Sequence, residues 1–255
     1  MMKSTIGLRQ AHQSHSAMIM AMLCGMFFCS CVNAVRGPEH GQTEFLRSTG
    51  VDARSKLARL PFAHSWREPS LQPMQYENLI IRPVTTRYLD SSQWELSKSS
   101  AIPDARSYQR QVKSLAAYWD RSLKKAFRSP ISAFYLVQNR NKPKTLIMEV
   151  AMTEVVFGSP YGPLGIATSP DGIAAEPSLH LPMVAFEIRV RDAATGRLIA
   201  TSADRRANPI DGIKASEKNV PLANQKICDT WSEQLMQASN RELFPKVQGS
   251  LLAPY

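Results

Sequence analysis

Leu181 to Arg206, LPMVAFEIRVRDAATGRLIATSADRR, is the stretch that decides the fold. Val184, Phe186, Ile188 and Val190 alternate with Ala185, Glu187, Arg189 and Arg191, the period of two of a strand with one face buried and one wet. Asp192-Ala193-Ala194-Thr195-Gly196 supplies the reversal: Asp hydrogen-bonds its own backbone two residues on, and Gly accepts the positive φ of a turn closing into a bulge. Leu198 to Ala203 returns. The spacing predicts a β-hairpin with nothing in it poised to react, Glu187 facing water in cross-strand ion pairs and Asp204 closing the strand as an acid beside Arg205 and Arg206.

Working outward, helical and strand periods surround the hairpin. Tyr76 to Val84 (YENLIIRPV) is apolar on both faces, so it predicts a central strand. Pro103-Asp104 opens a helix in which Tyr108, Val112, Leu115, Ala116, Trp119, Leu123 and Phe127 recur at three- and four-residue steps, and Ser129-Pro130 stops it. Ala133 to Val137 reads as a short strand, Asn139 to Lys144 as a basic turn, and Leu146 to Phe157 as a long strand. A last helix starts at Asn219-Val220-Pro221 and carries Ile227, Cys228, Trp231, Leu235 and Ala238 on one stripe. The expected fold class is α+β: about five mainly antiparallel strands in one sheet, with two amphipathic helices packed on one face.

Gly158 to Pro182 breaks the rhythm with five prolines and repeated glycines. A loop of that length within a domain is usually functional or disordered, which makes it the best candidate for partner contact, through Tyr161, Leu164, Ile166 and His180.

Composition narrows the class. The 255 residues are 44% hydrophobic and 20% charged, which fits one globular body with appendages. The net charge of +10 favours anionic neighbours, and Lys124, Lys125, Arg128, Arg140, Lys142 and Lys144 gather near the end of the first long helix. With no reading module present, a solvated or membrane-facing patch is expected there, with no nucleic-acid partner.

The N-terminus carries an address. Lys3, Arg9, His12 and His15 precede the apolar run Ala17 to Phe28, which is too short for the roughly twenty helical residues that a bilayer core takes. Residues 1–30 therefore read as a signal peptide. Ser30-Cys31 resembles the lipobox of bacterial lipoproteins, with acylation of Cys31, while Val32-Asn33-Ala34 offers ordinary cleavage and a soluble product. By the same resemblance, Val32 at the second mature position implies delivery to the outer membrane, facing the periplasm. Residues 31–70 read as a flexible tether with one helical turn near Ala53 to Leu60, residues 71–245 as the folded domain, and residues 246–255 as a frayed tail.

Catalytic patterns are missing from the sequence. There is no G-x-S-x-G, no H-E-x-x-H and no P-loop lysine, and no Cys/His spacing for a metal, so neither cofactor nor metal is expected. A hydrolase would have to use His180 with a hydroxyl, or Glu154 with Glu187. Cys228, on the apolar stripe of the last helix, reads as an inert buried thiol.

Together these residues carry a resemblance. Leu71-x-Pro73-x-x-Tyr76-x-x-Leu79-Ile80-Ile81-x-Pro83-Val84, then Leu146 to Glu154, then Glu187-x4-Asp192-x2-Thr195-Gly196 with Asp204-Arg205 and Trp231, resemble a family of bacterial outer-membrane lipoproteins of unknown function. The resemblance implies a small domain tethered to the outer membrane, a non-enzymatic binding or accessory protein with an envelope-protein partner. Envelope-polymer hydrolase and soluble secreted factor are the alternatives.

Overall fold

The computed structural model describes residues 35–36, 42–50, 60–71, 75–97, 102–157, 182–207 and 220–243. Their strands are β1 (Val35–Arg36), β2 (His64–Arg67), β3 (Asn78–Ile81), β4 (Tyr135–Leu136), β5 (Thr145–Val156), β6 (Met183–Asp192) and β7 (Leu198–Ala207). Their helices are α1 (Glu44–Arg47), α2 (Ala105–Phe127) and α3 (Val220–Leu243), with a 3-10 helix over Ser91–Ser97. The fold is α+β with one open sheet in the order β1-β7-β6-β5-β3-β4, β2 also pairing with β7.

The predicted hairpin forms the middle of this sheet. β6 pairs with β7 from Met183↔Ala207 to Arg191↔Leu198, and the Asp192 side chain accepts from the amides of Ala194 and Thr195 at 2.9 and 2.7 Å. Gly196 sits at φ +72°, and its amide donates back to the Asp192 carbonyl. β3 is buried along its whole length because β4 and β5 flank it, both parallel to it, whereas the pairs β5–β6, β6–β7, β1–β7 and β2–β7 are antiparallel. The expectation of mainly antiparallel pairing holds; the strands are more numerous than expected.

α2 and α3 cover one sheet face, as their stripes require. Asp104 caps α2 by accepting from the Ser107 amide at 2.7 Å, and Lys124 and Lys125 in the last turn complement the helix dipole. Phe186 is wedged between the helices, its ring centroid 5.5 Å from Trp119 and 4.6 Å from Trp231. All three rings are essentially excluded from solvent, so truncating Phe186 to Ala costs about 3–5 kcal/mol.

Two expectations are corrected. Two described parts of the supposed tether belong to the sheet, and a third, 42–50, carries α1: β1 pairs Val35↔Ala207, and β2 pairs His64↔Ala203 through Arg67↔Ala200. Both satisfy backbone groups that the edge of β7 would otherwise leave open. Nor is the outer sheet face wet where α1 lies, since Phe45 and Leu46 pack on Ala151 there and Arg189 lies 4.3 Å over the Phe45 ring. The helical turn expected at Ala53 to Leu60 lies outside the described residues but for Leu60, as do the 158–181 loop, the signal segment and the tail.

Candidate functional site

Cys31, Tyr161, Leu164, Ile166 and His180 lie outside the described residues. The carboxylates are described, and each is committed to a structural bond. A bulge between Met152 and Glu154 puts Glu154 in register with Ala185, whose other neighbour is Arg205. Across that small side chain, Arg205 donates to both Glu154 oxygens at 2.6 and 2.9 Å. Glu187 shares this outer face but accepts at 2.6 Å from both the Thr43 amide and hydroxyl, fastening the start of α1. It is 3% exposed, which corrects the expectation of a solvated ion pair. Glu149, not Glu187, pairs with Arg189 at 2.6 Å and Arg191 at 3.7 Å.

Asp204 is likewise buried within β7 rather than closing its end. Its Oδ2 accepts from Arg206 Nε and from the Trp231 indole, and its Oδ1 from the Ala63 amide. Cys228 is fully buried, and desolvation pushes its thiol well up, so the inert reading fits its position. No cluster of His, Cys, Asp and Glu able to hold a metal occurs among the described residues.

Among the described residues, a groove of about 660 Å³ lies between α2 and α3, within the size range of small-ligand sites. Tyr118, Arg121, Ser122, Lys125, Ser129 and Asp229 supply its polar lining, Met236 and Ile131 part of its apolar lining. Helical spacing stacks Tyr118 and Ser122 on one side of α2, facing Asp229 of α3. The Asp229 carboxylate accepts from the Tyr118 hydroxyl at 2.7 Å and from Ser122 at 2.6 Å. Burial, then the Asp229 hydrogen bond and charge, push the Tyr118 hydroxyl up to about 12. The groove can offer cations, hydroxyls and a carboxylate acceptor to a polar ligand. The sequence shows no sign of it, because Tyr118 and Asp229 meet only once the helices pair. A separate apolar cavity of about 70 Å³ lies between the sheet and the end of α3, lined by Phe62, Leu79, Met148, Ile188 and Leu235 among others.

The basic turn stands at one end of the sheet. Arg140 donates to the Ala193 carbonyl at 3.2 Å, Lys144 pairs with Glu77, and Tyr135 next to them is 73% exposed.

The chain belongs to the family described as Protein of unknown function (DUF3313), whose model matches residues 42–235. That match takes in the Thr43–Glu187, Asp204–Trp231 and Tyr118–Asp229 contacts. No curated protein matches the sequence. Among solved structures, XCC0632 from Xanthomonas campestris, of family DUF330, is 10% identical over 72% of this chain and 94% of its own, with a TM-score of 0.40. The PelC dodecamer from Paraburkholderia phytofirmans is 10% identical over 68% and 95%, with a TM-score of 0.33. The hypothetical protein CT253 from Chlamydia trachomatis is 13% identical over 70% and 99%, with a TM-score of 0.28. These likenesses are remote.

Proposed function

We propose that the protein is a cell-envelope lipoprotein, acylated at Cys31, held at the outer membrane facing the periplasm, and acting by binding rather than by catalysis. The observation that carries the binding half is the state of the carboxylates: Glu154 is clamped by a two-point guanidinium contact and Glu187 by Thr43. General acid–base work on a glycan needs a carboxyl free to meet substrate, and both oxygens of each of these carboxylates are already engaged, by Arg205 in one case and by Thr43 in the other. The groove between α2 and α3 and the basic sheet end are the contact surfaces, with the 158–182 loop as a further one. The anchoring half is supported by the sequence Ala17 to Cys31. No helix among the described residues is long and apolar enough to cross a membrane.

Labelled palmitate should enter the wild-type chain and fail to enter Cys31→Ser, which should leave the membrane fraction. Persistence of label in Cys31→Ser would defeat the anchoring half. Turnover of cell-wall or ester substrates that is lost in Glu154→Gln or Glu187→Gln would defeat the binding half.

A further inference from the structure

We infer that the domain carries an acidic-glycan binding surface on the end of its sheet that points away from the membrane anchoring it. The orientation, and with it the exclusion of the anchoring bilayer as the polyanion, rests on the proposed acylation of Cys31; the cations and the exposed tyrosine do not. Chain geometry separates the two ends. β1 enters at Ala207, which pairs with Met183, which pairs with Val156. The opposite end is set by Leu146↔Asp192 and by the hairpin turn. The 12 residues of β5 lie between, and at about 3.3 Å each they place the ends roughly 35–40 Å apart. Cys31 precedes Val35 by four residues, a span of at most about 14 Å. An acyl chain on Cys31 therefore holds the β1 end near the bilayer.

The side chains at the two ends differ accordingly. Near β1, Leu222 of the first turn of α3 is 50% exposed and Leu96 of the 3-10 helix is 41% exposed. Their neighbours fix them at that end: Asn224 donates to the Val156 carbonyl, and the Phe157 amide donates to Ser97. Apolar groups of this kind suit a bilayer interface. At the far end stand Arg140, whose guanidinium donates to the Ala193 carbonyl, Lys142 and Lys144 just before β5, and Arg197, whose carbonyl accepts from the Asp192 amide, opposed there by Glu77 and Asp192. The far end is contiguous: the Tyr135 amide donates to Glu77, the Ala193 amide to Thr145, and the Thr145 hydroxyl to Lys142. Headgroup attraction decays within a Debye length of about 8 Å, far less than the length of the sheet. The cations at this end are thus directed at a polyanion other than the anchoring bilayer.

Tyr135 and Ile131 decide which polyanion. They are 73% and 54% exposed amid the cations, and a flat phenol ring receives the C–H face of a sugar while the cations receive its carboxylates. Ile131 also borders the α2–α3 groove, whose Ser122, Ser129 and Tyr118 hydroxyls and Asp229 carboxylate match the donors and acceptors of sugar hydroxyls.

The test uses full-length protein, acylated in phosphatidylcholine vesicles and as soluble Cys31→Ser. Polygalacturonate should bind both forms and neutral dextran neither, with affinity falling at least tenfold between 50 and 200 mM salt, as counterion release demands. Arg140→Glu with Lys142→Glu should weaken binding at least tenfold, and Tyr135→Ala several-fold with the salt slope unchanged. Poly-glutamate bound equally well and indifferent to Tyr135→Ala would replace the glycan with an acidic protein. Cys31→Ser binding to phosphatidylglycerol vesicles in preference to polygalacturonate would make this end a lipid surface, and absence of polygalacturonate binding would refute the site. For orientation, a fluorophore at Leu222→Cys should be quenched by spin-labelled lipid and one at Lys142→Cys should not; the reverse overturns the arrangement. Membrane association that survives Cys31→Ser would remove the anchoring premise and leave the glycan measurements standing.

Discussion

Asp204 of β7 and Trp231 of α3 are joined by a 3.0 Å hydrogen bond from the indole N–H to Oδ2, and the same oxygen accepts from Arg206 Nε at 2.8 Å. The Asp204 side chain is fully buried and that of Arg206 nearly so, and Arg206 also donates to the Pro61 carbonyl. One carboxylate thus ties the hairpin, the last helix and the approach to β2 together. Removing one member of such a pair strands the other charge in low dielectric. Asp204→Ala should therefore lose about 3–5 kcal/mol in urea unfolding. Trp231→Phe, which removes one donor to a charged acceptor, should lose about 1.5–3 kcal/mol plus a packing contribution.

Glu187 fastens α1 to the outer sheet face, and that contact is separable from the core. Both of its oxygens are taken by Thr43, which also caps α1 by accepting from the Phe45 amide at 3.2 Å. Glu187→Ala should free Gln42 to Gly50 while the α2–α3 face stays packed. Hydrogen exchange at Arg47 and Ser48, whose amides donate to Thr43 and Glu44, should accelerate selectively. Glu77→Ala is the control: its pair with Lys144 is exposed and contributes no more than about 1 kcal/mol. Equal acceleration throughout the sheet in Glu187→Ala would refute a separable contact.

The hairpin turn sets part of the acid stability. Burial pushes the Asp192 carboxyl up, but hydrogen bonds from Thr195, Tyr76 and Ala194 outweigh it and hold the group below its ordinary 3.8. The Asp104 cap is depressed as well, chiefly by the Ser107 amide. A folded-state pKa below the unfolded value gives stability that is present above the unfolded value and lost as pH falls through the folded one. Urea midpoints should therefore hold down to about pH 5 and decline below about pH 4. The decline should be shallower in Asp192→Asn and shallower again with Asp104→Asn added.

The hairpin and both long helices were legible because their signals are local. Alternation over Val184 to Arg191, an Asp-to-Gly reversal, and helical recurrence of Trp119 and Trp231 with their neighbours need no tertiary information. What covers an outward-facing side chain is not local. Glu187 reads identically whether water or Thr43 satisfies it, and Thr43 lies 144 residues away in sequence. A hint existed in Thr43-Glu44-Phe45-Leu46, an N-cap residue followed by an apolar pair, inside a stretch whose overall polarity masked it. β1 and β2 were illegible for another reason: they lie in a polar stretch with Gly37, Pro38, Pro61 and Pro69 that carries no sustained period, and they are defined by the edge of β7 they complete. Asp204 looked like a strand-end acid because its partner, Trp231, comes from the last helix.

Tyr118 and Asp229 give the helix groove a spectroscopic handle. Burial and the Asp229 carboxylate together push the Tyr118 hydroxyl up to about 12, against a small opposing pull from Arg121. A raised folded-state pKa means stabilisation that is whole below the unfolded value of about 10 and lost as pH climbs through the folded value. In protein carrying carbon-13 at the tyrosine ring, the Tyr118 resonance should titrate near 12. Asp229→Asn keeps the burial but removes the charge, so the resonance should move back toward 10 with the fold intact. A ligand seated in the groove should shift this resonance at constant pH in the wild type, and Ser122→Ala should weaken that response without abolishing it. An unchanged Tyr118 titration in Asp229→Asn would show that burial alone sets it.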